Sequence, residues 1–371
     1  MALAGVFFSL GFIGASWISR IPQIQDSLAM TNSMLGVALV GLPVGSVAVS
    51  LVLPRVVERH ARRIMLVGLP VAALSLCLIP IANGAAGLLV ALVVVGFTTA
   101  GVDVAMNAQA VLVQQQLPRS VISRWHAMWS AGGFAGAAAG AAFAATTKSL
   151  WPHFIVVLIA VVLAATTLRR RLAPDPAEPI AGERRSWSRD RRVLLYAAVS
   201  VAGFAVEVCA ADWGGVFLRR VVGTTVSTAA LAYAAFALPH FLARLCGDAV
   251  IARWSRSHVM ATGLFAAALG YVVLVTSTTT AQVFVALALC GAAISLVVPV
   301  ALLAAGTVPG VPSGAGVATA AGISYAGWSA TPPLVGAVAG AAGLRVALVV
   351  PMAVALLCAG LVAAARTSRT V

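Results

Sequence analysis

The chain has 371 residues, of which 61% are hydrophobic and only 9% charged, with a mean hydropathy of +1.02. A soluble domain is close to half apolar and a quarter charged, so the composition excludes a soluble globular protein and points to one dissolved in lipid. The formal charge of +14 does not mark a nucleic-acid binder, because the basic residues are spread over short connections instead of gathered on one face.

A bilayer core about 30 Å thick takes roughly 20 helical residues to cross. In chain order, apolar runs of that length occupy 1–19, 33–53, 64–83, 85–113, 122–146 and 152–168, and then 193–218, 227–252, 259–277, 281–305, 313–340 and 344–365. Lipid offers an open backbone no partners, so each run is read as a helix. The prediction is an all-α integral membrane protein with twelve transmembrane helices. With both termini inside, 18 of the 24 Arg and Lys residues fall in cytoplasmic segments, 5 in external ones, and Arg244 within a span. That is the positive-inside bias, and it predicts cytoplasmic N and C termini. Nothing basic precedes the first span, which leaves open a start upstream of Met1. Residues 1–19 also lack the basic segment and cleavage pattern of a secretory signal.

The polar stretch 169–192, rich in Arg, Pro and acidic residues, reads as a cytoplasmic linker. It separates an N-terminal six-helix bundle (1–168) from a C-terminal one (193–371). The halves repeat: Trp17 and Trp213 are each followed 26 residues later by Pro43 and Pro239, with Leu35/Leu231 and Leu42/Leu238 in the same register. Past those prolines, PRVVERHARR (54–63) and DAVIARWSR (248–256) place a basic turn at matching points after a shift of two. Duplicated six-helix halves are a transporter plan in which solute sits at the repeat interface near mid-membrane.

Several polar residues interrupt the oil. Asp103 and Asn107 lie on one helical stripe with Gly96, Thr99, Ala110 and Gln114. A charge facing lipid there costs about 2.5–3.5 kcal/mol, so the stripe should face protein or water, as a contact for a solute hydroxyl or a proton or as a lock between helices. Gln109 lies off the stripe and reads as packing. His126 shares a face with Ser130 and Gly133, and is either a proton carrier or a helix-entry histidine bonded to backbone. On the same helix Gly132, Gly136 and Gly140 form a stripe that lets a neighbour approach. Glu207 stands near the middle of the 193–218 span with Gly203, Ala210, Ala211 and Gly214 on its face. A carboxyl removed from water there can hold a proton, as proton coupling requires, or can pair with Arg244. Asp212 is turned about 140° away and reads as a cap or a partner of Arg219 or Arg220. Trp17, Trp213, Tyr325 and Trp328 either stack on a ring-shaped solute or anchor at an interface.

Cys77, Cys209, Cys246, Cys290 and Cys358 are isolated in apolar spans, with no CxxC or Cys/His spacing. No metal site and no cofactor is expected. No HExxH or Ser/His catalytic arrangement is present, so an enzyme is not expected, and the absence of a GxxxxGK[ST] loop points away from nucleotide-driven transport.

The chain resembles the major facilitator superfamily over essentially its whole length, through its twelve spans, its central basic loop and a helix 2–3 loop with the spacing G-x-x-x-D-R-x-G-R-R. In that loop Pro54 and Ala61 replace the glycines, Glu58 replaces the aspartate, and Arg59, Arg62 and Arg63 keep the charges. Three stretches are similar to the fucose permease neighbourhood: DVAMNAQ with HAMWSAGG (103–133), EVCAADWGGVFLR (207–219) and YAGWSATPPLVG (325–336). Many relatives carry a glutamate where this chain has Gln114, so no proton site is carried over to that position. The resemblance implies a monomeric secondary transporter of the bacterial cytoplasmic membrane, moving a small polar solute such as a sugar by alternating access and coupled to protons. Arg244 with Asp248, and Glu58, Arg59, Arg62 and Arg63, would form its cytoplasmic gate. A metabolite or drug exporter would use the same parts, and a non-transporting sensor or scaffold is the reading from another class.

Overall fold

The computed structural model describes residues 2–115, 122–172 and 187–367, and every regular element among them is helical. The chain divides into two compact units, Met1–Ala181 with Thr224–Ala234, and Gly182–Gly223 with Ala235–Val371. Residues 173–186 of the predicted linker lie outside the described part.

The elements of the first stretch are α1 (Ala2–Ile18), α2 (Ile21–Ser27), α3 (Asn32–Leu39), α4 (Gly41–Val52), α5 (Pro54–Ser75), α6 (Gly84–Gln115), α7 (Ile122–Thr146) and α8 (Trp151–Leu168). The second stretch holds α9 (Arg191–Phe217), α10 (Val226–Ala230), α11 (Ala232–Leu245), α12 (Gly247–Arg253), α13 (Arg256–Thr276), α14 (Thr280–Ile294), α15 (Val297–Ala305), α16 (Ser313–Ala342), α17 (Leu344–Ala347) and α18 (Val349–Thr367). α10 belongs to the first unit because it packs on α7 and α2.

Ten helical segments among the described residues are long and apolar enough to cross a membrane. The other two predicted spans are present as helices: α7 has 25 residues and α16 has 30. Both are built largely of Gly, Ala, Ser and Thr, which make a helix less apolar but let neighbours approach closely. Large side chains on the outer faces, such as Ile159 and Leu163 of α8 or Leu357 and Leu361 of α18, are exposed. A water-soluble surface seldom carries such stripes, whereas lipid requires them.

The glycine stripe of α7 meets α1. A Cβ on Gly132 would stand 2.0 Å from the Phe8 carbonyl oxygen, and one on Gly136 would stand 2.4 Å from that of Phe12. From the facing side, a Cβ on Gly11 would strike the Trp129 oxygen at 2.0 Å. Only hydrogen fits between these backbones, so the glycines set the helix separation. Arg20, wholly buried just beyond α1, donates from Nη1 to the Gly140 oxygen (3.2 Å) and from Nη2 to the Ser149 oxygen (3.3 Å). Those bonds tie α1 to the far end of α7 and to the turn before α8, and they meet part of the cost of burying a guanidinium.

The basic turn expected at 54–63 takes the form of a kink between two helical pieces. Pro54 occupies the first turn of α5, where its missing N–H costs nothing, and the helix breaks inside the segment at His60 (φ −136°, ψ 25°). Its counterpart behaves alike: α12 stops at Trp254 (φ −121°, ψ 147°), and α13 starts after Ser255, whose side chain caps the His258 N–H. Earlier in each repeat, Thr31 caps α3 through the Met34 N–H and Thr225 caps α10 through the Thr228 N–H. The interval from Thr31 to His60 equals that from Thr225 to Trp254, so the duplication extends to where helices start and break.

Candidate functional site

In the first unit, α6 carries the predicted polar stripe. Asp103 and Asn107 are both half-buried. The Asn107 amide donates to the Asp103 carboxylate at 3.2 Å and to the Asp103 carbonyl at 2.9 Å. The bond lies within one helix, so among the described residues Asp103 does not lock α6 to a neighbour, and its second carboxylate oxygen takes no described partner. His126, half-buried at the start of α7, meets the Phe7 ring edge-on at 5.1 Å. The buried Ser130 hydroxyl donates to the His126 carbonyl at 3.4 Å.

In the second unit Glu207 is half-buried on α9, and the charge acting on it is the Arg244 guanidinium of α11. Glu207 accepts no hydrogen bond from a described residue. Arg244 itself is positioned by a bond from its Nε to the Ser295 oxygen at 3.3 Å. One turn before it on α11 stands His240, 2% exposed, stacked on Phe236 at 5.4 Å and sharing the field of Arg244. This histidine was not singled out from the sequence. Its spacing of four from Arg244 was the available signal, obscured by the apolar run around Pro239. Tyr271 was also missed: fully buried on α13, it donates to the Val206 carbonyl at 2.8 Å and fixes the turn of α9 that carries Glu207.

The small residues around Glu207 are not all open space. A Cβ on Gly203 would meet Val298 Cγ2 at 2.5 Å, so α15 fills that part of the expected groove. Phe204, three residues before Glu207 and therefore beside it on the helix, stacks on Tyr325 at 6.1 Å. Trp328 meets the same tyrosine edge-on at 6.3 Å. Tyr325 is 50% exposed, whereas Trp17 (2%) and Trp213 (0%) are buried. The Trp213 indole N–H has no described partner.

Of the predicted gate, Arg62 is half-buried and donates from Nη2 to the Arg169 carbonyl at 2.6 Å, and Arg63 is exposed. The side chains of Glu58, Arg59 and Asp248 lie outside the described ones. No group of three or more His, Cys, Asp or Glu able to hold a metal occurs among the described residues.

Apolar helices of membrane length, with half-buried carboxyls among them in each helical unit, define a multi-pass membrane protein. The chain belongs to the Major Facilitator Superfamily, whose family model matches residues 1–217. It is similar to an uncharacterised MFS-type transporter of Yersinia pestis, with 30% identity over 352 residues covering 92% of this chain and 89% of that one. Among solved structures, a mutant of the nucleoside transporter NupG matches with a TM-score of 0.77 at 13% identity, covering 98% of both chains. A bacterial homologue of the human lysosomal transporter Spinster, in an inward-facing and occupied conformation, matches with a TM-score of 0.73 at 16% identity, covering 100% of this chain and 96% of that one. At such identities the structural likeness establishes the fold alone.

Proposed function

We propose that the protein is a secondary transporter of the bacterial cytoplasmic membrane that moves a small polar, ring-bearing solute by alternating access and couples it to protons. In this reading twelve helices form two six-helix bundles with both termini in the cytoplasm, and the monomer is the working unit. The observation that carries the reading is Glu207. It is a carboxyl under the field of Arg244, with no described hydrogen-bond donor, and it stands beside the Phe204–Tyr325 aromatic pair. A carboxyl near a cation but not bonded to it can exchange a proton or accept a solute hydroxyl, and aromatic faces suit the flat side of a sugar or nucleoside ring. Asp103 with Asn107 offers polar contacts from α6, and His126 is the candidate for relaying protons. The gate is assigned to Arg62, Arg63, Arg244, Glu58, Arg59 and Asp248.

The nucleoside transporter among the structural neighbours adds nucleosides to sugars as solutes to screen. The test is a thermal-shift screen of both classes on wild-type protein and Glu207→Gln, followed by uptake into proteoliposomes with and without an inward proton gradient. Wild type should accumulate the stabilising solute only with the gradient, and Glu207→Gln should still equilibrate it without accumulation. Uptake by wild type that ignores the gradient would identify a passive facilitator, and a gradient that drives solute outward would identify an exporter.

A further inference from the structure

At the linker-proximal end of the second unit, the first residues of α9 and α13 and the connection from α15 to α16 border an open cavity of about 640 Å³ lined by Arg192, Tyr196, Arg256, Ser257 and Thr307. Both guanidiniums are pinned to that connection. Arg192 donates from Nη2 to the Pro309 oxygen at 2.9 Å, and Arg256 donates from Nη1 to the Thr307 hydroxyl at 2.6 Å. Asp190 takes the Nε and Nη2 of Arg192 at 3.0 and 2.8 Å. The Nη1 of Arg192, and the Nε and Nη2 of Arg256, take no described partner. Arg191 is exposed beside them, so three arginines face one carboxylate.

A second cavity of about 220 Å³ shares Arg192, Tyr196 and Ser257 with the first. It adds Arg191 together with the apolar Leu195, Val362 and Ala365 of α9 and α18. Two tryptophans at this end, Trp187 and Trp254, are 67% and 48% exposed, as tryptophans are at the level of lipid headgroups. A pinned pair of guanidiniums is geometrically suited to phosphate oxygens. Phosphate in water needs no apolar continuation, whereas a lipid phosphate brings an acyl chain that does.

We propose that this end of the second unit binds an anionic phospholipid, its phosphate between Arg192 and Arg256 and its acyl chain leaving past Leu195, Val362 and Ala365. Basic pockets between transmembrane helices recognise anionic headgroups in this way. The site shares no residue with the Glu207 group, so it stands whether or not protons drive transport.

The test uses the purified full chain in detergent, with phosphatidylglycerol, phosphatidylcholine of the same acyl chains, or inorganic phosphate added separately. Thermal stability and lipid retained in native mass spectrometry are the readouts. Phosphatidylglycerol should raise the melting temperature by several degrees more than phosphatidylcholine and should remain bound. The Arg191→Gln/Arg256→Gln variant should lose most of that difference, while Arg220→Gln at the opposite end of the unit keeps it. Should the double variant not fold, Arg256→Gln alone should weaken retention. Equal effects of the two lipids on wild type, or an undiminished phosphatidylglycerol effect in the Arg256 variants, would overturn the proposal. Inorganic phosphate reproducing the full shift would overturn it in favour of a soluble anion.

Discussion

The Tyr271 hydroxyl donates to the main-chain oxygen of Val206 at 2.8 Å, one residue before Glu207 on the same helix. The bond crosses from α13 to α9 in a wholly buried place, so it fixes the rotation of the turn that presents the carboxyl. Tyr271→Phe keeps the ring and removes the bond, and should cost about 1 kcal/mol of stability. Under the proposed function, solute uptake should fall more than this modest loss of folded protein accounts for. Uptake normalised to folded protein, compared with chemical denaturation, checks both.

Arg244, held by its bond to the Ser295 carbonyl, follows His240 by four residues on α11, and its charge acts on both Glu207 and His240. Arg244→Gln should therefore disturb proton coupling as Glu207→Gln does. If the two residues work as one unit, the double variant should be no worse than either single, because effects within a unit are non-additive. A double-mutant cycle on gradient-driven uptake measures this, and additive losses would assign the residues to separate roles.

The contact between α1 and α7 predicts opposite outcomes for two glycines. Gly132→Ala would place a methyl 2.0 Å from the Phe8 oxygen, forcing the helices apart at a cost of about 1–3 kcal/mol. Gly14→Ala meets nothing within 4 Å and should stabilise the helix by about 0.5–1 kcal/mol through its better helix propensity. Thermal unfolding of the two variants should shift in opposite directions.

Asp190 lies just before the first span of the second unit. Hydrogen bonds from the Arg192 side chain, and then from its backbone N–H, hold the Asp190 carboxyl at about 2, below its ordinary 3.8. A carboxyl that binds its proton less tightly when folded contributes stability above its unfolded value and loses that contribution as pH falls towards the folded one. Wild type should therefore exceed Asp190→Asn in melting temperature at pH 6, and the two should converge between about pH 4 and pH 2. Asn still caps the helix, so the difference isolates the charge pair.

Helix positions were legible because membrane-length apolar runs leave the backbone no alternative to helix, and even the Gly- and Ala-rich α7 and α16 begin where the runs begin. The segment 54–63 was legible as the junction between two helices, but not as a kink at His60. Pro54 and a run of charges imitate a loop, whereas the same proline opens a helix and the interruption comes at His60. The shared stripe of Asp103 and Asn107 followed from a spacing of four on one helix, but the bond between them within that helix was not read from it. Contacts between helices were not legible: nothing local announces that Val298 fills the space beside Gly203, that Tyr271 reaches Val206, or that Trp17 and Trp213 are enclosed while Tyr325 is half open.

The breaks at His60 and Trp254 fall on the same rung of the two repeats. Each half thus owns a joint of its own, and the chain provides an internal control. Stiffening one joint, by restoring an unbroken helix through alanine at 60, can be compared with the equivalent change at 254 within one molecule. Any difference in outcome then measures how far the two breaks differ in what they contribute.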